Sequence, residues 1–138
     1  MSKPLRALAK FLPALENPDF KAGEMAGFGE QVAPGVWSMP YADYGAVASK
    51  FMDAAYKHGW VMMDFDWPVW SQSEEAHALR DDDAKLGAAT PEQLWRLLTV
   101  VIRQERFVEG AVLGAFESGL ILGIVRRAAA LLAAEKGQ

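Results

Sequence analysis

Four charged side chains fall within seven residues in the run Arg103-Gln104-Glu105-Arg106-Phe107-Val108-Glu109, which Gly110 closes. Arginine set among glutamates can do two things. It can neutralise the carboxylates and bond the carbonyls left open at a helix end, or it can hold an anionic group in a polar pocket. On one continuous helix Glu105 and Glu109 are a turn apart and repel, with Arg106 between them. The structural reading is an ion-pair network at an interhelix corner that also draws in Glu117. The functional reading makes Arg103, Arg106 and Glu109 candidate ligand-binding residues.

A second unusual stretch, Trp60 to Trp70, carries three of the five tryptophans and two aspartates. Asp64 and Asp66 flank Phe65, so on an extended strand they share a face. Two carboxylates could take a divalent cation with Glu105 or Glu109 through hard oxygen ligands, or pair with Arg103 and Arg106. The arginines would oppose a cation, so pairing is preferred and no metal is expected. Trp60, Phe65, Trp67 and Trp70, with Trp37 and Trp95, either build the core of a small domain or line a cleft for a flat ligand or peptide. Trp60, Asp64, Asp66, Trp67 and Trp70 join the candidate ligand-binding set.

Other chemistries lack their residues. There is no cysteine, which removes thiolate catalysis, iron–sulfur clusters and cysteine zinc sites. His58 and His77 lack zinc-ligand spacing, and His58 suits a helix end. No serine stands in a Gly-x-Ser-x-Gly elbow. Ala26-Gly27-Phe28-Gly29 lacks the lysine and following helix of a phosphate loop. No cofactor is expected.

With 138 residues and a net charge of −4, the chain is expected to form a single domain, 1–138, large enough to bury its own core. No Lys/Arg block marks a nucleic-acid binder. Glu117 and Arg126-Arg127 interrupt the most apolar run, so no transmembrane span is expected. A cytoplasmic setting is expected, without nucleic-acid or membrane partners and with a possible homodimer.

Several elements must position these residues. Leu5, Leu8, Leu12 and Leu15 recur at helical spacing, with Pro4 near the start and Pro13 ending or kinking the helix near Leu12. Pro34-Gly35 is a turn pair before a short strand over Val36–Met39, whose partner is sought between Glu24 and Val32. Asp43 is read as the cap of a helix that ends at Gly59. Trp60–Phe65 reads as a strand, Trp70–Leu79 as a short polar helix and Arg80–Lys85 as a loop. Thr90-Pro91-Glu92-Gln93 is a capping box. A last helix spans about 108–135, and its glycines suggest close approach by another backbone or a ligand.

As a set, Phe65-Asp66-Trp67 with Trp70, the Arg-Gln-x-Arg-Phe-x-Glu-Gly run at 103–110, and Phe116-Glu117-Ser118-Gly119 resemble the hallmarks of a family of small bacterial proteins classed as a domain of unknown function. The likeness extends to Met39-Pro40-Tyr41 and His58-Gly59-Trp60, and it implies one bacterial domain and no particular activity. The expected fold is α+β, mostly helical. It has four to five helices, a small two- or three-stranded antiparallel sheet and a C-terminal helical hairpin with Trp60–Trp70 packed over its joint. The expected function is a binding or protein-interaction module. The alternative is an enzyme acting on a small anionic substrate through Asp66, Arg106 and Glu109. If Arg106 sits in a buried ion pair, its removal should cost ~3–5 kcal/mol.

Overall fold

The leucine stripe at the N-terminus forms two helices rather than one. In the computed structural model, which describes residues 1–136, α1 covers Ser2–Ala9 and α2 covers Leu12–Glu16. The break falls at Lys10–Phe11, so Pro13 sits in the first turn of α2, where its missing N–H costs no hydrogen bond. Asn17 ends α2, and its side chain accepts the Asp19 amide at 2.9 Å.

Four short strands follow: β1 (Gly23–Ala26), β2 (Gln31–Ala33), β3 (Val36–Trp37) and β4 (Tyr41–Tyr44). They make two separate antiparallel pairs. β1 pairs with β4, Gly23 opposite Tyr44 and Ala26 opposite Tyr41, while β2 and β3 form a hairpin about Pro34-Gly35. The turn was legible, but the β4 strand was not. Asp43 is therefore a strand residue and not a cap; Gly45 occupies the cap position of α3 (Ala46–Lys57) and offers no side chain for it.

At the far end of α3 the expected glycine terminator is in place. The Trp60 amide bonds back to the Ala55 carbonyl at 2.8 Å and the Gly59 amide to Tyr56 at 3.3 Å, the two bonds of a Schellman motif. The strand expected over 60–65 does not form. Side chains satisfy much of this irregular segment's backbone, as described below, so it needs no ladder.

Helix then continues in short pieces: α4 (Trp67–Ser71), α5 (Glu74–Asp81) and α6 (Asp83–Leu86). The single helix expected over 70–79 is divided by the Ser73 cap. The expected loop over 80–85 holds a turn of helix capped by Asp82. α7 (Pro91–Gln104) begins with a complete capping box, in which Thr90 Oγ1 accepts the Gln93 amide at 3.1 Å and Gln93 Oε1 accepts the Thr90 amide at 2.9 Å.

The long last helix is also two, α8 (Ala111–Glu117) and α9 (Leu120–Lys136). Gly119 divides them with φ of +88°, a left-handed conformation that side-chain-bearing residues avoid. Two of the glycines in this region mark a close approach, by a side chain rather than a backbone: a methyl at Gly123 would lie 2.6 Å from Leu86 Cδ2, and one at Gly110 would meet Met25. The fold is thus α+β and mostly helical, with more and shorter helices than expected.

α9 supports the N-terminus, packing along α1 and α2, and α7 contacts both α8 and α9. Between them lies one apolar core that includes Leu5, Leu8, Phe51, Trp60, Leu94, Leu97, Ile121 and Ile124. Phe51 makes edge contacts with both Phe11 and Phe116, at centroid distances of 5.4 and 5.6 Å. Among the described residues no helix is long and apolar enough to cross a membrane.

Candidate functional site

α7 and α8 are too close in sequence to be joined without a sharp turn, and the charged run is that turn. Gly110 takes φ of +86°, and a methyl there would meet the Met25 sulfur at 2.9 Å, so β1 closes directly on the corner. Gly110 is also the cap residue of α8 and has no side chain to bond the helix's open amides. Glu105 does this from the end of α7. Its carboxylate accepts the Gly110 amide at 3.1 Å and the Val112 amide at 2.8 Å, placing negative charge at the positive end of α8.

The next amide, that of Leu113, donates to the Tyr44 hydroxyl at 3.0 Å, and that hydroxyl donates to Glu105 Oε1 at 2.8 Å. Glu109 reaches the neighbouring residues of β4 and accepts the Ala42 amide at 2.7 Å. The two glutamates therefore tie the β1–β4 pair to the α7–α8 corner. Burial, reinforced by the hydrogen bond to Glu105, pushes the Tyr44 phenol well above the usual tyrosine range. The neutral phenol is the form that the fold favours. Its contribution is complete below the unfolded pKa of about 10 and is lost as pH rises from there toward the raised folded value. Between pH 9 and 11 the unfolding free energy of the wild type should fall more steeply than that of Tyr44→Phe; parallel curves in urea titrations would remove this coupling.

The expected ion-pair network does not form. Among the described residues the ion pairs are Lys21–Glu24, Arg96 with Glu75 and Glu92, and Arg126–Glu16. Backbone amides and a phenol have taken the places assigned to arginines. Arg103, half-buried, instead donates to the carbonyls of Met62 and Met63 at 3.3 and 3.4 Å. Arg106 is exposed, and its guanidinium makes no hydrogen bond or ion pair among the described residues. With no buried pair to break, the cost of ~3–5 kcal/mol does not apply to Arg106. Arg106→Ala should change stability by less than about 0.5 kcal/mol in denaturant melts, as exposed substitutions do.

The tryptophan segment does meet the corner, by other contacts than those expected. Thr99, fully buried on α7, accepts the Met62 amide at 2.9 Å, and its own hydroxyl lies 2.8 Å from the Trp95 carbonyl. Together with Arg103 it takes over the role of a neighbouring strand. Thr99→Val leaves the Met62 amide without its partner and should cost ~1–3 kcal/mol, read as a lower denaturation midpoint. Trp67 stacks at a tilt on Phe107 with centroids 6.1 Å apart, and Phe65 lies 5.9 Å from Trp70.

The candidate residues thus separate. Trp60 belongs to the core, wholly buried against Trp95 with its indole N–H donating to the Pro4 carbonyl at 2.9 Å. Asp66 caps α4 through the Val69 amide at 3.4 Å, while Asp64 is exposed and, among the described residues, bonded to nothing. Neither aspartate pairs with an arginine. Trp70 is half-buried and donates to Glu75 Oε1 at 2.8 Å. Glu75 also accepts from Gln93 and Arg96, and these bonds, that of Trp70 first, hold its carboxyl below the usual range.

Two features went unnoticed in the sequence. Tyr44 gathers its partners from segments 61 and 69 residues away, and Glu75 joins the nearby Trp70 to Gln93 and Arg96 on α7, so residue types alone do not mark them. Phe107, Val69, Met63 and Val108 are 76%, 69%, 69% and 51% exposed, an apolar set within the two stretches that hold Trp67 and Arg106. A family model described as Family of unknown function (DUF6508) matches residues 1–134. No curated protein and no solved structure matches the chain.

Proposed function

We propose, for a chain that belongs to the Family of unknown function (DUF6508), a binding or protein-interaction module whose contact face lies where the tryptophan segment meets the α7–α8 corner. One observation carries the reading: Phe107 is 76% exposed yet packed on Trp67, in the turn that also holds the partnerless Arg106. Solvent-facing aromatic side chains with a free guanidinium are the residue types that dominate binding energy at protein interfaces. The carboxylates at the corner are engaged with the fold, which leaves Trp67, Phe107, Arg106 and Asp64 for a partner and Trp70 as its edge. The frame for this face is a C-terminal helical hairpin, α7 returning through α8 and α9. The setting is cytoplasmic and the occupant a protein or small molecule, in keeping with a net charge of −4 that disfavours nucleic acid.

The alternative, an enzyme acting on a small anionic substrate through Asp66, Arg106 and Glu109, needs these three groups to converge. Asp66 is engaged in capping α4 and Glu109 in bonding Ala42, so the binding reading is preferred. The test is native capture with tagged wild type and with Trp67→Ala, Phe107→Ala and Arg106→Glu, each checked for an unchanged melting curve. A partner or ligand retained by the wild type should be lost from all three. Retention of the same species by every variant would place its binding elsewhere.

A further inference from the structure

We infer that the β2–β3 hairpin is the surface on which a second copy of this chain docks, forming a symmetric dimer through residues that the corner site does not use. The hairpin is a sheet of its own, and every residue of both strands is exposed. A lone two-stranded hairpin is at best marginally stable in water, because it has no layer against which to bury a face. Val36 and Trp37 are neighbours on β3 and point to opposite faces, so apolar side chains stand on both faces of the hairpin. Val32, Val36 and Trp37 on the strands are 64%, 52% and 60% exposed, and the flanking Phe28, Met39 and Tyr41 are 66%, 81% and 49% exposed.

The extent of this surface fits a dimer contact. Taking roughly 150–200 Å² for each residue when fully exposed, the fractions leave on the order of 600–700 Å² of mainly apolar area. Summed over both faces and the flanking residues, that total approaches the ~800 Å² that each partner buries in a standard interface.

Charge selects the occupant. From Gln31 to Ala42 the chain carries no charged residue, although its net charge is −4 and Glu30 and Asp43 flank the stretch. Two copies of an acidic chain repel over most of their surfaces, and this segment is where they can approach without opposing charges. A basic partner would find no carboxylate within it to pair with. Among the described residues the outer edges of β2 and β3 also have no strand beside them. An antiparallel edge-to-edge pairing of two hairpins is compatible with a two-fold axis, which presents the same patch from both copies.

Sedimentation velocity and light scattering at roughly 100 µM test this, a concentration at which a Kd of ~10 µM or tighter leaves most chains paired. The wild type and Phe107→Ala should both run at twice the 15.1 kDa chain mass. Trp37→Glu and Val32→Lys each set like charges against one another across the axis. Both should run as single chains with an unchanged far-UV spectrum, their dimer Kd raised at least about 30-fold. If Trp37→Glu misfolds, Val32→Lys decides, since its side chain is already in solvent. A wild type at single-chain mass, or a dimer that survives Val32→Lys, overturns the assignment. Loss of the dimer in Phe107→Ala alone would move the interface to the corner face.

Discussion

Glu105→Ala should lower the unfolding free energy by ~2–4 kcal/mol, the largest loss expected of any charged residue in the corner. The substitution removes the acceptor of two backbone amides and of the Tyr44 hydroxyl together. Hydrogen bonds to a charged group contribute roughly 1.5–3 kcal/mol each. Glu105 is half-buried, so water recovers part of that, and the total stays below the simple sum. The effect has a directional signature: α8 loses the charge at its N-terminus and the β1–β4 pair loses one tie to the corner. Amide exchange should accelerate at Gly110 and Val112 more than in the core of α7. Glu105→Gln, which keeps an acceptor oxygen but not the charge, should recover about half the loss. A Glu105→Ala variant within about 0.5 kcal/mol of wild type would mean that α8 does not need this carboxylate.

Trp60→Ala should cost ~3–5 kcal/mol, the range for removing a large aromatic side chain from a packed core. Trp60 is wholly buried, packs on Trp95 at 5.0 Å, and bonds the Pro4 carbonyl near the start of α1. It thus joins three separate regions: the end of α3, the middle of α7 and the N-terminus. Trp60→Phe keeps most of the apolar volume but abandons the Pro4 carbonyl, and should cost ~1–2 kcal/mol. Thermal melts of the two variants separate packing from hydrogen bonding. A Trp60→Ala loss below about 1 kcal/mol would show that the neighbouring helices close over the gap.

Helix ends and turns were legible because their chemistry lies within a few residues. The Thr90–Gln93 box, the Gly59 terminator and the Pro34-Gly35 turn each satisfy backbone groups at a separation of three to five positions, and each was readable from residue types alone. The leucine stripes likewise indicated which faces are buried. Where helices break inside an apolar run was not legible. Ser73 and Gly119 are small residues that a helix tolerates, and only packing makes them interruptions.

The same division runs through the charged corner. Its sequence determined that carboxylates, guanidiniums and aromatic rings would be concentrated at the joint between two helices, and that the joint would meet the tryptophan segment. Tertiary structure decided which donor each carboxylate uses. Glu105 meets Tyr44 across 61 residues of chain and Glu109 meets Ala42 across 67, distances over which local spacing carries no information. An arginine nearby in sequence is only one possible donor. The open amides of α8 sit beside Glu105 once Gly110 turns the chain, and bonding them relieves groups that have no other partner in the helix. Arg103 was therefore free to serve the carbonyls of Met62 and Met63, and Arg106 to stand in solvent beside Phe107.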